Sequence, residues 1–138
     1  YKRQMLITPH FAVGTCDDEG NLLEAFEYPM VEQTVSSQTS ENMKYILTQV
    51  VSEGGGKNGQ VEGYNVGGKT ATSEKLPRGN GKYISSYIGF APADDPQVIA
   101  ICLINEPVGI YYGGTIAAPV ISSLYEDVLP YLEIKKAQ

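Results

Sequence analysis

The sequence predicts an α+β fold, an antiparallel sheet covered by helices. Three observations lead there. Two runs of strand character, Tyr83–Ala91 and Val98–Ile104, flank a turn-forming Asp94-Asp95-Pro96, and strands joined by about six turn-like residues pair antiparallel. Ahead of them, Met43, Ile46, Leu47, Val50 and Val51 fall on one helical stripe. Behind them, Ile116, Val120, Leu124 and Val128 fall on another, with Ile121 and Tyr125 beside it.

In chain order, Met5 to Thr15 alternates weakly and is rich in β-formers, and Leu22 to Phe26 is a second short run. The Asp17-Asp18-Glu19-Gly20-Asn21 stretch between them predicts a hairpin. Ser36 to Ser40 supplies candidate N-caps for the first helix, and Gly54-Gly55-Gly56 ends it, so hairpin and helix occupy about 5–53. Polar, glycine-rich Gly54 to Gly63 is a loop, and the sheet follows over about 64–105. Val98 to Ile104 is continuously apolar, which predicts an interior strand covered on both faces. The last helix runs over about 115–132, capped by Thr115, with Pro119 in its first turn.

At 138 residues the chain is expected to form one domain, and its 42% hydrophobic and 19% charged content is that of a folded one. A net charge of −6 without a basic stripe argues against nucleic-acid binding and is read as a solubility feature. Cys16 and Cys102 lie far apart, with Cys102 a small hydrophobe inside an apolar run. His10 has no second ligand in phase, so no metal site is expected. No apolar run reaches the roughly 18 residues of a membrane helix, so no membrane contact is expected of this chain. It opens at Tyr1 without methionine, as a processed end or a piece of something longer would.

Function turns on Gly63 to Lys75, GYNVGGKTATSEK. Gly63 to Thr70 fits the phosphate-binding G-x-x-x-x-G-K-[ST] letter for letter. That cradle needs a buried strand before it and a helix after it, because the helix N-terminus holds the anion. Here Gly54 to Glu62 is polar, and Pro77, Gly79 and Gly81 close off any helix after Thr70. The Walker-B-like run ends in Asn105, a poor magnesium partner. A nucleotide hydrolase is therefore the weakest reading, and no cofactor is expected.

Read as a strand, Val66 to Ser73 offers an edge to an extended peptide, with Gly67-Gly68 allowing close approach. Lys69 sets a cation beside it, Thr70 and Thr72 offer hydroxyls to a carboxylate, and the Thr72 N–H can meet a developing oxyanion. This is a Lys-Thr-Gly type of strand, reading Lys-Thr-Ala here. With "YISSYIGFAPADDPQVIAICLINEP" and "YYGGTIAAPVISSLYEDVLPYL" in the same order, about Thr8 to Leu132 resembles the C-terminal half of the transpeptidase domain of class B penicillin-binding proteins.

The resemblance implies serine acyl transfer that cross-links peptidoglycan: attack on a D-Ala-D-Ala stem peptide, or on a β-lactam, and transfer of the acyl group to an amine. It implies that Lys69 shapes the electrostatics of the site. Thr70 binds the substrate carboxylate, and Thr72 adds a hydroxyl and the oxyanion N–H. It also implies a membrane-anchored parent working on the extracytoplasmic face of the bacterial cell membrane.

Two departures qualify it. Ala71 replaces the motif glycine with a methyl. No Ser-x-x-Lys is present, and Thr72-Ser73-Glu74-Lys75 has the spacing on the wrong element. Ser40-Glu41-Asn42 imitates the family's Ser-x-Asn but is better explained as helix capping. Residues 1–138 are thus expected to be a single-domain fragment whose partner is the N-terminal half of the same protein, inactive alone for want of a nucleophile. The alternatives are a β-lactam sensor or degenerate binding domain, then a serine β-lactamase. Tyr111 and Tyr112 are read as packing ahead of a cleft role, Asp94 and Asp95 as turn formers, and Glu106 as either structural or functional.

Overall fold

The computed structural model describes residues 5–29 and 32–137, and its contacts divide the chain between Asn42 and Met43 into two compact units. In the first unit, β1 (Met5–Leu6) pairs antiparallel with β4 (Glu32–Gln33), and β2 (Gly14–Cys16) pairs with β3 (Leu22–Ala25). The hairpin forms where the acidic turn predicts it. The Asp17 carboxylate accepts the N–H groups of Glu19 at 3.0 Å and Asn21 at 2.8 Å and the Asn21 side-chain amide at 2.9 Å. Those bonds, the Asn21 side chain first, hold its pKa below the usual carboxylate value. The run Met5 to Thr15 is not one strand, because Pro9 lacks a ladder donor and His10 stacks on Tyr28 at 3.7 Å instead.

Helix α1 covers Ser37–Ser52. Ser36 caps it: its hydroxyl accepts the Thr39 N–H at 3.1 Å. Ser40 lies inside the first turn, so capping does not account for Ser40-Glu41-Asn42. Of the predicted stripe, Val51 is buried, Leu47 and Val50 are half-buried, and Met43 and Ile46 are exposed.

In the second unit, β5 (Gly67–Glu74), β6 (Tyr83–Ala91) and β7 (Val98–Asn105) form an antiparallel sheet in that order. Strand side chains alternate between faces, so register decides which residues meet the core. Tyr87 and Ala91 of β6 face inward, and Val98, Ala100, Cys102 and Ile104 of β7 pack beside them. Cys16 and Cys102 are both free.

The inner face is covered by α2 (Gly113–Ile116) and α3 (Ala118–Tyr131). Two expectations change here. The helix begins after Tyr112, so Thr115 sits within the first turn and is no cap. The buried stripe is Ala117, Ala118, Ile121, Tyr125 and Leu129, one position round the helix from the predicted one and containing the Ile121 and Tyr125 placed beside it. Val120 and Leu124 are exposed. Tyr125 fixes that phase, since its buried hydroxyl needs an acceptor and finds the Gly89 carbonyl at 2.7 Å.

The expectation for β7 is also corrected. Its burial alternates, and Ile99, Ile101 and Leu103 are 68%, 59% and 64% exposed. One face of the sheet is closed by the chain's own helices; the other is open.

Candidate functional site

Gly63 to Thr70 folds as a turn running into a strand. Val61 bridges Tyr64, Gly63 takes φ +80°, and β5 begins at Gly67. After Glu74 the chain turns into Leu76 to Lys82 and returns as β6, so no helix follows the motif. The lysine stands in the middle of a strand.

Among the described residues β5 pairs only with β6, which leaves its other edge open. The Lys75 N–H donates to the Lys82 carbonyl at 2.8 Å, and this fixes the phase of the ladder. In an antiparallel pair the backbone groups of alternate residues point to the partner and away from it. With the Lys75–Lys82 pair bonded, Ser73, Ala71 and Lys69 also turn their N–H and C=O to β6, while Thr70 and Thr72 turn theirs to the open edge. The Lys69 ammonium lies there too, donating to the Thr70 carbonyl at 2.6 Å.

The side chains divide the same way. Thr70 lies opposite buried Tyr87 and shares the helix-covered face, with Thr72 two residues on. Lys69 and Ala71 lie on the other face, with Ile88 and Ser86 as their cross-strand neighbours. The Ala71 methyl is therefore exposed on the open face, away from the two threonine hydroxyls.

The loop before α2 completes the rim. The Gly113 N–H donates to Thr72 Oγ1 at 3.1 Å, and the Ser85 hydroxyl donates to the Tyr111 carbonyl. Tyr111 stacks on Tyr83 at 4.1 Å and contacts Tyr112 at 4.7 Å, so its packing role is the one seen. Tyr112 stands exposed, its phenol pKa pushed up first by a hydrogen bond with Tyr111.

Gly113 and Gly114 escaped the sequence reading. A Cβ at Gly113 would collide with the Ser86 and Ala71 carbonyls, and one at Gly114 would come within 3.2 Å of Thr70 Cγ2. The signal was the glycine pair itself, which marks a close backbone approach as readily as a helix start.

Glu106 takes a structural place. With φ +50°, it binds Lys75 at 2.5 Å and Lys82 at 3.1 Å, tying the ends of all three strands. Hydrogen bonds from Lys75 and Lys82 hold its carboxyl below the usual range. That ion pair also occupies the lysine of Thr72-Ser73-Glu74-Lys75. Glu74 accepts the Gly79 N–H at 2.6 Å and pins the loop that follows. Among the described residues no group of three or more His, Cys, Asp or Glu is placed to hold a metal ion. No helix among the described residues is long and apolar enough to cross a membrane.

The site is thus a three-stranded antiparallel sheet under a C-terminal helix, with a Lys-Thr strand on its open edge. The chain belongs to the penicillin-binding protein transpeptidase domain family, whose model matches residues 4–126. Stage V sporulation protein D of Bacillus subtilis (strain 168) is 41% identical over 135 residues, covering 94% of this chain and 21% of that protein. A probable peptidoglycan D,D-transpeptidase, PenA, of Neisseria flavescens is 35% identical over 111 residues, covering 77% of this chain and 28% of that protein. The transpeptidase domain of Burkholderia pseudomallei penicillin-binding protein 3, in its apo structure, superposes with a TM-score of 0.70 at 29% identity, covering 90% of this chain and 37% of that one. The chain thus spans well under a third of the length of these two curated relatives.

Proposed function

We propose that this chain supplies one wall of a serine D,D-transpeptidase site that binds peptidoglycan stem peptides ending in D-Ala-D-Ala, and β-lactams. The observation that carries the reading is the open edge of β5, where the backbone of Thr70 and Thr72 and the Lys69 ammonium face the same side. An extended peptide laid there gains main-chain hydrogen bonds, and the cation favours its terminal carboxylate. Thr70 and Thr72 bind that carboxylate, and the Thr72 N–H stabilises the oxyanion formed when a serine attacks the penultimate carbonyl. The terminal D-Ala then leaves, and an acceptor amine takes the acyl group.

The serine, its lysine and the Ser-x-Asn motif belong to the rest of the domain. That portion covers the open face of the sheet, where Ile99, Ile101 and Leu103 are exposed in this chain. The assembled protein works at the outer surface of the bacterial cell membrane.

Labelling with a fluorescent penicillin tests the reading. The complete protein is expected to give an adduct that survives denaturation, and residues 1–138 alone none. Lys69→Ala in the complete protein should slow labelling about 100-fold. Stable labelling of this chain alone, or undiminished labelling of Lys69→Ala, would sink the assignment.

A further inference from the structure

We propose that buried Ser85, acting through the Tyr111–Gly113 loop, is a positioning residue for the Thr72 hydroxyl. The proposal rests on the carboxylate-binding reading of Thr72 given above.

Ser85 is fully buried, and it lies directly opposite Thr72 in the β5–β6 register. This pair is of the type that exchanges no backbone bonds, so the two side chains stand close on one face. A buried hydroxyl is costly unless it finds a partner. The partner here is not on a neighbouring strand but on the loop, the Tyr111 carbonyl. Two residues later that loop returns a bond to the sheet, from the Gly113 N–H to Thr72 Oγ1. The loop is thus clamped to adjacent positions of β5 and β6 by two hydrogen bonds of opposite sense. The Tyr83–Tyr111 stack gives a third point of attachment.

Gly113 makes the clamp possible, because only a residue without Cβ can lie this close to the Ser86 and Ala71 carbonyls. The consequence for Thr72 follows from the inventory of a hydroxyl, one donor and two lone pairs. With the Gly113 amide already donating to Oγ1, the hydroxyl hydrogen must point elsewhere. Thr72 is thereby set as a donor, the polarity an anionic substrate group requires. Remove the Ser85 hydroxyl and the Tyr111 carbonyl is released, so the loop no longer holds Gly113 against Thr72.

A double-mutant cycle on penicillin acylation of the complete protein tests this. Ser85→Ala should lower the second-order acylation rate constant about tenfold, one hydrogen bond's worth. Most of the loss should fall in binding rather than in the acylation step. Thr72→Val should lose at least as much, and Thr72→Ser should keep most of the rate. The combination of Ser85→Ala with Thr72→Val should be no slower than Thr72→Val alone, because the clamp acts only through that hydroxyl.

If the two losses multiply, Ser85 acts on stability alone and the positioning role is overturned. It is overturned equally if Ser85→Ala acylates at the wild-type rate while Thr72→Val is impaired. If Thr72→Val itself acylates normally, the carboxylate-binding reading fails first and takes the inference with it.

Discussion

The two faces of the β5–β6–β7 sheet carry similar amounts of apolar side chain and meet opposite fates. On the inner face Tyr87, Ala91, Ile121, Tyr125 and Leu129 close a core with nearly no exposed surface. On the outer face Ile88, Ile99, Ile101 and Leu103 lie open beside Lys69 and Ala71. A sheet with apolar residues on both faces is built to be covered twice. The inner cover is α2 and α3, whereas the apolar side chains of the outer face are exposed. Lys69 stands on the side whose apolar residues are exposed.

Opposite substitutions on the two faces should separate them most strongly. Ile101→Asp buries an unpaired carboxylate if the rest of the domain packs there, and should cost the complete protein about 3–5 kcal/mol. In residues 1–138 alone the same aspartate meets water, and should change stability by less than about 0.5 kcal/mol. Leu129→Ala should instead cost about 2–5 kcal/mol in both contexts, because its cavity lies inside this chain. Urea denaturation of the four proteins checks the pattern. An Ile101→Asp effect that is small in the complete protein would show the outer face to be solvent-facing by design.

The same contrast explains what could be read in the sequence. The bounds of β6 were legible because alternation runs cleanly from Tyr83 and Pro92 stops it. The strand carrying Lys69, Thr70 and Thr72 was legible once its flanks excluded a phosphate cradle. The exposed face of β7 was not, since a continuous apolar run reports what a strand is made to touch, not what is present to touch it. The inner stripe of α3 was misplaced by one position because apolar residues stand on neighbouring rows of the helix, and the letters do not say that Tyr125, whose hydroxyl bonds the Gly89 carbonyl, sets which row turns inward. Ser85 was invisible for a different reason. Its partner lies 26 positions away, and no local pattern encodes a bond of that span.

A smaller effect is expected where the faces share a boundary, at the strand ends. Glu106 joins Lys75 and Lys82 there, and its depressed pKa links it to acid stability. A carboxyl whose pKa is lower folded than unfolded stabilises above its unfolded value, and that contribution is lost as pH falls through the folded one. Glu106→Gln should therefore lower the melting temperature at pH 7 and leave it closer to wild type at the acid end. The effect should shrink in high salt, because all three side chains are partly exposed. Parallel wild-type and variant melting curves from pH 7 down to the acid transition would contradict the linkage.

The smallest effect concerns two tyrosines inside the closed face. Burial pushes both phenols up to about 12, with the neighbouring Tyr125 adding to the shift at Tyr87. They differ in satisfaction: the Tyr125 hydroxyl donates to Gly89, whereas the Tyr87 hydroxyl has no hydrogen-bond partner among the described residues. Tyr125→Phe should then cost about 1 kcal/mol at pH 7, and Tyr87→Phe should be neutral or stabilising by up to about 1 kcal/mol. A phenol whose folded pKa is raised contributes stability that is fully present below 10 and is lost as pH rises to about 12. Each Phe variant removes one such group, so each should flatten the alkaline decline over that interval, whatever its effect at neutral pH. Thermal melts between pH 7 and 12 separate the two contributions. If Tyr87→Phe costs as much at pH 7 as Tyr125→Phe, its hydroxyl has a partner after all, and the inner face is less self-sufficient than its burial suggests.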